Sequence, residues 1–134
     1  MFKPALKAGA LFAMLAVILG AFGAHSLKQV LTENMLAVFE TGVRYQFYHS
    51  FALLAAGILF SGYPSKQVSR AALFFTIGIL LFCGSLYVMV VLSIFGYGLG
   101  IVGVITPIGG LFFILGWLFL FIGISKKGTT YGTH

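Results

Sequence analysis

The segment that decides the fold is Arg44-Tyr-Gln-Phe-Tyr-His-Ser-Phe-Ala-Leu-Leu-Ala-Ala-Gly-Ile-Leu-Phe60. Only the part after Ser50 is free of polar side chains, and its ten residues rise about 15 Å as a helix, half of a hydrocarbon core of about 30 Å. Pro64 closes the far end, so a helix that crosses a membrane must extend backward through His49 towards Arg44. The sequence therefore predicts polar side chains at lipid depth, where they must face protein or water.

The composition is that of a membrane protein. The 134 residues, room for one domain, are 60% hydrophobic and 7% charged, with a mean hydropathy of +1.10, whereas soluble chains average about 25% charged residues. The basic residues lie at the ends of apolar runs, so the net charge of +6 indicates topology, and we expect no nucleic-acid partner. The single cysteine, Cys83, lies inside an apolar run and predicts neither a disulfide framework nor a zinc site.

Four apolar segments predict four transmembrane helices, at about residues 6–25, 43–62, 71–92 and 104–124. The first is longer than the apolar core of a secretory signal, which has about 7–15 residues, and three more follow it, so we expect it to be retained. The predicted fold is an all-α membrane protein, a four-transmembrane-helix bundle in one domain of residues 1–134.

A polar interval separates the first two spans and contains both acidic residues of the chain, Glu33 and Glu40. Thr32 can cap a helix start, and a hydrophobic stripe at helical spacing follows it. We therefore expect an interfacial amphipathic helix over about residues 32–42, lying on the membrane surface. Gly42 is predicted to form the bend into the second span.

Small residues recur at helical spacing in the first and fourth spans and predict close helix packing. They are Gly9, Ala13, Ala16 and Gly20 in the first span and Gly109, Gly116 and Gly123 in the fourth. The helix that fills each face is expected within the chain or outside it. Besides the lipid bilayer, another membrane protein or a second copy of this chain is therefore an expected partner.

The basic residues predict the orientation of the bundle. With four spans, the head, the turn at 62–70 and the tail lie on one side of the membrane. That side carries Lys3, Lys7, Lys66, Arg70, Lys126 and Lys127, and the opposite side carries Lys28 and Arg44. Because basic residues favour the cytoplasmic side, both termini are expected in the cytoplasm.

Four short stretches resemble the motif of a known membrane family. They are Gly20-Ala-Phe-Gly-Ala-His25, Phe39-Glu-Thr41, Arg44-Tyr-Gln46 and His49-Ser-Phe-Ala-Leu-Leu54. The family consists of small four-span proteins of bacteria and animal mitochondria and carries only a domain-of-unknown-function label, family 423. Ser26 and Gly42 depart from the glycine and alanine expected there. The resemblance implies four helices in an inner membrane, here the bacterial cytoplasmic membrane, and supplies no established activity.

The polar residues of these stretches are the candidate site: His25, Glu40, Arg44, Tyr45, Gln46, Tyr48 and His49. One interpretation is a buried hydrogen-bond network, in which Arg44 pairs with Glu40 at i, i+4 and the histidines bond to tyrosine hydroxyls, Gln46 or backbone carbonyls. For such a network, His25 is expected near the level of Tyr45. The alternative is a metal or haem site on His25 and His49, although these residues alone complete no site and no cofactor is expected.

No complete catalytic set accompanies the histidines. No serine, cysteine or aspartate is placed as a nucleophile, so we expect no catalytic residue and do not interpret the chain as an enzyme. Transport by small four-span dimers needs a carboxylate within a span, which spans one, three and four lack. An oligomeric channel or transporter is the alternative. The predicted function is that of a non-enzymatic assembly, stabilising or accessory subunit of a larger membrane complex.

Overall fold

The computed structural model describes residues 1–126, over which the chain forms a bundle of long helices joined by short connections. We number them α1 (Lys3–Leu27), α2 (Glu33–Leu59), α3 (Lys66–Ile94) and α4 (Val102–Ser125). No strand occurs in this part of the chain, so the predicted all-α class is confirmed. Lys127, which the orientation prediction also uses, lies outside the described residues.

Three of these helices, α1, α3 and α4, are long and apolar enough to cross a membrane. The 27 residues of α2 rise about 40 Å and are also long enough, but polar side chains in its first half distinguish it from the other three. Large apolar side chains cover much of the outside of the bundle, as expected where the solvent is lipid. A fourth crossing by α2 stays a prediction.

The interfacial helix predicted over residues 32–42 is not a separate element. Thr32 does cap the helix, since its hydroxyl accepts a hydrogen bond from the Met35 N–H at 3.2 Å, but the helix then continues unbroken through all of α2. Gly42 is buried, and a Cβ there would lie 2.8 Å from the Tyr87 ring of α3. The predicted bend at Gly42 is wrong because this glycine admits a neighbouring helix and does not interrupt its own.

α1 and α2 form an antiparallel hairpin that packs through the small residues of α1. A Cβ on Gly9 would lie 2.8 Å from the carbonyl oxygen of Ser50, so the two helix backbones approach closely there. Along the same face, Ala16 is buried, Gly20 lies against Val43, and Ala13 is half-buried. The small-residue face of α1 is therefore filled by α2 of the same chain.

α3 and α4 form a second antiparallel hairpin, in which the three predicted glycines of α4 receive larger residues of α3. The pairs are Gly109 with Phe82, Gly116 with Phe75, and Gly123 with Val68. A Cβ on Gly116 would lie 2.7 Å from the Phe75 ring. The predicted glycine groove exists, but α3 fills it. Because α3 fills the groove at these positions, the packing gives no support to binding of another protein or a second copy through it, and that expectation stays a prediction.

The core lies where α2 of the first hairpin meets α3 of the second. Leu53 and Ala56 of α2 belong to the same buried cluster as Val68 and Phe75 of α3, and none of these four side chains is accessible.

In the turn that connects α3 to α4, Gly96 and Gly100 adopt φ of +76° and +50°, the left-handed region that glycine tolerates best.

One turn of π-helix interrupts α1 at Leu19–Gly23 and another interrupts α3 at Ile79–Cys83. A π turn accommodates an extra residue, so it widens the helix locally and changes which side chains face a neighbour. Neither turn was predicted, because a single wide turn leaves the apolar composition of a span unchanged.

We predict that Gly109→Ala destabilises the bundle and that Gly110→Ala does not. A Cβ at position 109 meets the Phe82 backbone, which cannot rotate away, and such overpacking costs about 1–3 kcal/mol of the free energy of unfolding. At position 110 the nearest Phe82 atom would be 3.7 Å away, an ordinary contact. The only tryptophan, Trp117, reports thermal unfolding in detergent by its fluorescence. Equal melting temperatures for the two variants would contradict this packing.

Candidate functional site

His49 lies at the centre of the bundle, on the side of α2 that faces α4. It is 4% exposed, and its ring stacks on Phe113 with centroids 3.5 Å apart and planes 8° from parallel. Phe113 in turn occupies the space that Gly78 leaves by having no side chain. Phe75 and Trp117 complete the enclosure, with ring centroids 5.7 and 5.9 Å from that of His49. The imidazole is thus enclosed by aromatic rings.

Both ring nitrogens of His49 have partners. Nε2 lies 3.1 Å from the indole nitrogen of Trp117, and Nδ1 lies 2.7 Å from the carbonyl oxygen of Tyr45. Because an indole N–H can only donate a hydrogen bond, Nε2 is the acceptor, and Nδ1 carries the proton that it donates to the carbonyl. This geometry fits the neutral Nδ1–H tautomer. It leaves no ring nitrogen free for a metal ion or a substrate.

Gln46 joins three helices through its amide group. It is 3% exposed; its nitrogen donates to the carbonyl oxygen of Phe12 in α1 at 2.8 Å. Its oxygen accepts from the hydroxyl of Tyr87 in α3 at 2.6 Å. One turn on, the Ser50 hydroxyl donates to the Gln46 backbone carbonyl at 2.6 Å. Throughout residues 1–126, no buried side-chain nitrogen or oxygen lacks a hydrogen-bond partner.

Glu40 and Arg44 do not form the expected ion pair. Both side chains are exposed, and no ion pair with an N···O distance within 4.0 Å joins them in the part of the chain that the structure describes. They border an open groove of about 350 Å³ between α1 and α2, whose other lining residues are Gly20, Phe39, Val43 and Phe47. The pairing prediction is wrong because i, i+4 spacing only permits contact, and an exposed pair of this kind gains only about 0.3–0.5 kcal/mol.

His25 is not brought close to Tyr45 or His49. The contact of Gly23 with the Phe39 ring sets the register of the α1–α2 hairpin, so His25, exposed beyond Gly23, is level with residues before Phe39. Tyr45 lies about eight residues further along α2, or 12 Å along its axis. The expected alignment is wrong because glycine packing, and not span length, sets the register.

The two histidines considered as metal or haem ligands are therefore apart, one exposed and the other enclosed. Within residues 1–126, no group of three or more histidine, cysteine, aspartate and glutamate side chains is arranged to hold a metal ion. The geometry gives the metal-site alternative no support.

Tyr45 and Tyr48 lie at the surface of the bundle. The Tyr45 ring packs against Phe82 of α3 at a centroid distance of 4.7 Å, and Tyr48, which is 52% exposed, contacts Tyr45 edge-on. His49 bonds to neither hydroxyl, because its nitrogens are engaged elsewhere. Tyr48 thus belongs to the outer face of α2, whereas the Tyr45 ring lies at the border between that face and the rings of His49 and Phe113.

Sequence reasoning missed Tyr87, Phe113 and Trp117, which are the partners of the buried Gln46 and His49. A signal was present, because a tyrosine or tryptophan within an apolar span usually needs a hydrogen-bond partner for its polar atom. Tyr87 and Trp117 lie in the middle of apolar spans, and α2 carries the acceptors that can meet them at that depth.

A family model described as "Protein of unknown function (DUF423)" matches residues 19–110. The chain belongs to this family. A UPF0382 membrane protein of Staphylococcus saprophyticus is 48% identical over 118 residues, which cover 88% of this chain and 93% of that protein. The UPF0382 membrane protein YwdK of Bacillus subtilis is 41% identical over 121 residues, with the same coverage of 88% and 93%. No solved structure matches.

The comparisons confirm the resemblance and the membrane class. The relatives are bacterial proteins named as membrane proteins, and this chain is accordingly a helical membrane protein of a family of unknown function. The matched region contains α2 and α3 entirely, and with them Gln46, His49 and Tyr87.

We predict that the ring of His49 matters more for stability than its hydrogen bonds. His49→Ala removes the ring stacked on Phe113 and opens a cavity, which costs about 3 kcal/mol of the free energy of unfolding by analogy with buried aromatic truncations. His49→Phe keeps the stack but loses both hydrogen bonds of the ring, which should cost about 1 kcal/mol at about 0.6 kcal/mol each. Thermal unfolding followed by Trp117 fluorescence measures both.

Tyr48→Ala provides the control for these variants, since Tyr48 neighbours His49 in the chain but is exposed, and it should leave the melting temperature nearly unchanged. If His49→Phe were as destabilising as His49→Ala, hydrogen bonding and not packing would be the main contribution of this residue.

Proposed function

We propose that this protein is a non-enzymatic assembly or stabilising subunit of a larger membrane complex, and that it binds its partner along one exposed face of α2. The observation that carries the proposal is a continuous exposed stripe with about one residue in each helical turn. We call it the α2 stripe: Ala37, Glu40, Arg44, Tyr48, Phe51, Ala55 and Ile58, all exposed. Its first half is polar and charged, and its second half is apolar.

The charged part of the α2 stripe lies at a depth where lipid is a poor solvent. If the hydrocarbon core ends at Leu59, a thickness of about 30 Å reaches back about twenty residues, to Glu40. Arg44 then lies about one turn inside the core, where a charge without a partner is costly. A neighbouring helix with a carboxylate or carbonyl beside Arg44 would supply the acceptor, and Glu40 offers an acceptor in return.

The interior of the bundle supports a non-catalytic role. Acid–base or nucleophilic catalysis requires a group that is free to reach a substrate. Gln46 instead uses its side-chain nitrogen and oxygen to bond to two neighbouring helices, and His49 uses one ring nitrogen for Trp117 of α4 and the other for the Tyr45 carbonyl of its own helix. The side chains left to interact with another molecule are on the outside.

The alternative of an oligomeric channel or transporter depended on the glycine-lined faces. Those faces are filled within the chain, by α2 at Gly9 and by α3 at Gly116. The α2 stripe is then the exposed face that carries the motif charges, and it suits one lateral partner better than a ring of identical copies around a pore.

We also propose four membrane crossings with both termini in the cytoplasm. The N–H of Phe2 donates to the carbonyl oxygen of Gly57 at 3.0 Å, and a Cβ on Gly9 would meet Ser50. α2 therefore lies beside α1 along most of its length, so α2 crosses wherever α1 crosses. The basic residues described at this end, among them Lys3, favour the cytoplasmic side.

We expect two single-cysteine variants, one in the turn between α1 and α2 and one in the turn between α2 and α3, to be labelled from opposite sides of the membrane. In a Cys83→Ala background, which is free of cysteine, Gln29→Cys should react with a membrane-impermeant maleimide in intact cells. Ser61→Cys should react only after the membrane is opened. Labelling of both from outside would exclude a crossing by α2, and the reverse pattern would invert the orientation.

We expect photoreactive residues on the α2 stripe to form a crosslink with the partner, and photoreactive residues on other helices not to form it. A photoreactive residue at Tyr48 or Phe51 should give one adduct of the same mass in intact membranes. Leu111 and Ile114, which are also exposed but lie on α4, serve as control positions and should not give it. Arg44→Gln should reduce the adduct several-fold.

Two outcomes would contradict the proposal. Equal adducts from the α2 and α4 positions would indicate random collisions in the membrane. An adduct with twice the mass of the chain would favour a homo-oligomer and with it the channel alternative.

A further inference from the structure

Two consecutive cavities open between α1 and α3 on the surface of the bundle. The first, of about 400 Å³, is lined by Ala5 and Ala8 of α1 and by Arg70, Leu73 and Thr76 of α3, among others. The second, of about 290 Å³, begins one turn further along both helices, at Phe12 of α1 and Ile79 of α3. We call the two together the α1/α3 seam. It lies on a different face from the α2 stripe.

The polarity of the seam changes along its length. Arg70 and Ser69 line the first cavity, at the end of the bundle where α3 begins. The second cavity is lined almost entirely by apolar side chains, and its polar groups, the Gln46 amide and the Tyr87 hydroxyl, already bond to each other. The seam thus has one charged end and a long apolar continuation.

The walls of the second cavity include both π-helical turns of the protein's described part. Leu19 belongs to the π turn of α1, and Ile79, Leu80 and Cys83 belong to that of α3. Since a π turn redirects the side chains that would otherwise meet a neighbour, these turns account for the gap between α1 and α3 at a level where α2 packs against both.

The charge at the Arg70 end is positive without compensation. Both acidic residues of the chain, Glu33 and Glu40, lie in the first eight residues of α2, at the opposite end of the bundle from Arg70. The basic residues described at the Arg70 end are Lys3, Lys7, Lys66 and Lys126. Basic pockets between transmembrane helices are the sites at which anionic lipid headgroups bind.

We propose that the α1/α3 seam binds one anionic phospholipid, with its phosphate beside Arg70 and one acyl chain along the seam. An acyl chain spans one leaflet, half of the hydrocarbon core or about 15 Å, and ten helical residues cover that distance. Counted from Arg70, ten residues end at Leu80, inside the second cavity. The two cavities therefore match the headgroup end and the hydrocarbon end of one lipid molecule.

Native mass spectrometry of the detergent-solubilised full chain tests this proposal. Phosphatidylglycerol should be retained at a higher occupancy than phosphatidylcholine with the same acyl chains. Arg70→Gln should weaken phosphatidylglycerol binding about fivefold, the contribution of one basic residue near a lipid phosphate. Lys126→Gln, which removes the same charge at the same end but outside the seam, should change it little.

A second pair of variants tests the acyl chain. Ala8 lines the seam, whereas Ala10 is exposed elsewhere on α1. Ala8→Phe should fill the first cavity and reduce lipid retention, and Ala10→Phe should not. Glycerophosphoglycerol, which has the headgroup but no acyl chains, should fail to compete with the intact lipid.

Four results would overturn the proposal. Equal retention of the two lipids would show that the site does not select an anionic headgroup, and equal losses in Arg70→Gln and Lys126→Gln would reduce the effect to general charge attraction. Competition by glycerophosphoglycerol would indicate a site for free phosphate esters. A dimer that forms without lipid and is lost in Ala8→Phe would indicate that a second copy fills the seam. None of these results bears on crosslinking from the α2 stripe, so the two proposals fail independently.

Discussion

The fold depends on one constraint: polar side chains in the middle of α2 are buried among apolar helices, and each must be bonded inside the bundle. Gln46 and His49 are these side chains. Gln46 bonds to the Phe12 carbonyl and the Tyr87 hydroxyl, and His49 bonds to Trp117. Helix α2 therefore has partners on three sides, because only α1, α3 and α4 together supply what its polar residues need.

Two kinds of contact hold the four helices together. Within each hairpin, glycines allow close approach, as Gly9 does for α2 and Gly109 for α3. Between the hairpins, larger and more polar groups make the connection. The stacked rings of His49 and Phe113 connect α2 to α4, and Gln46 connects α2 to α3. Hydrogen bonds between helices contribute only about 0.6 kcal/mol each in membranes, so we attribute most of the stability to packing. Because these bonds are directional, we expect them to fix the register between the two hairpins.

The sequence was sufficient to predict where most of the helices lie, but not which helices pack against one another. Apolar run length predicted α1, α3 and α4 within a few residues, and the spacing of Gly109, Gly116 and Gly123 identified a true packing face. Which helix fills that face is a tertiary property, and so is the role of Gly42, which spacing alone presented as a bend. The i, i+4 rule suggested an ion pair for Glu40 and Arg44 but contains no information on solvation. The partners of Gln46 and His49 lie 41 and 68 residues away in the chain, beyond any local pattern.

The saturation of the interior has a consequence for where this protein can act. Within residues 1–126, every buried side-chain nitrogen and oxygen has a hydrogen-bond partner, so the polar groups without an internal partner lie on the outside. Within residues 1–126 the connections between helices are short, so the long helices provide most of the surface. Both proposals accordingly place binding on the lateral surface of the bundle, where other helices and lipids are the available ligands. The α2 stripe presents opposite charges separated by one turn, Glu40 and Arg44, which suit a directional partner such as another helix. The α1/α3 seam presents a single positive charge above an apolar channel, which suits an amphiphile with a negative head. The two surfaces thus differ in charge and polarity, and each matches the charge and polarity of the ligand proposed for it.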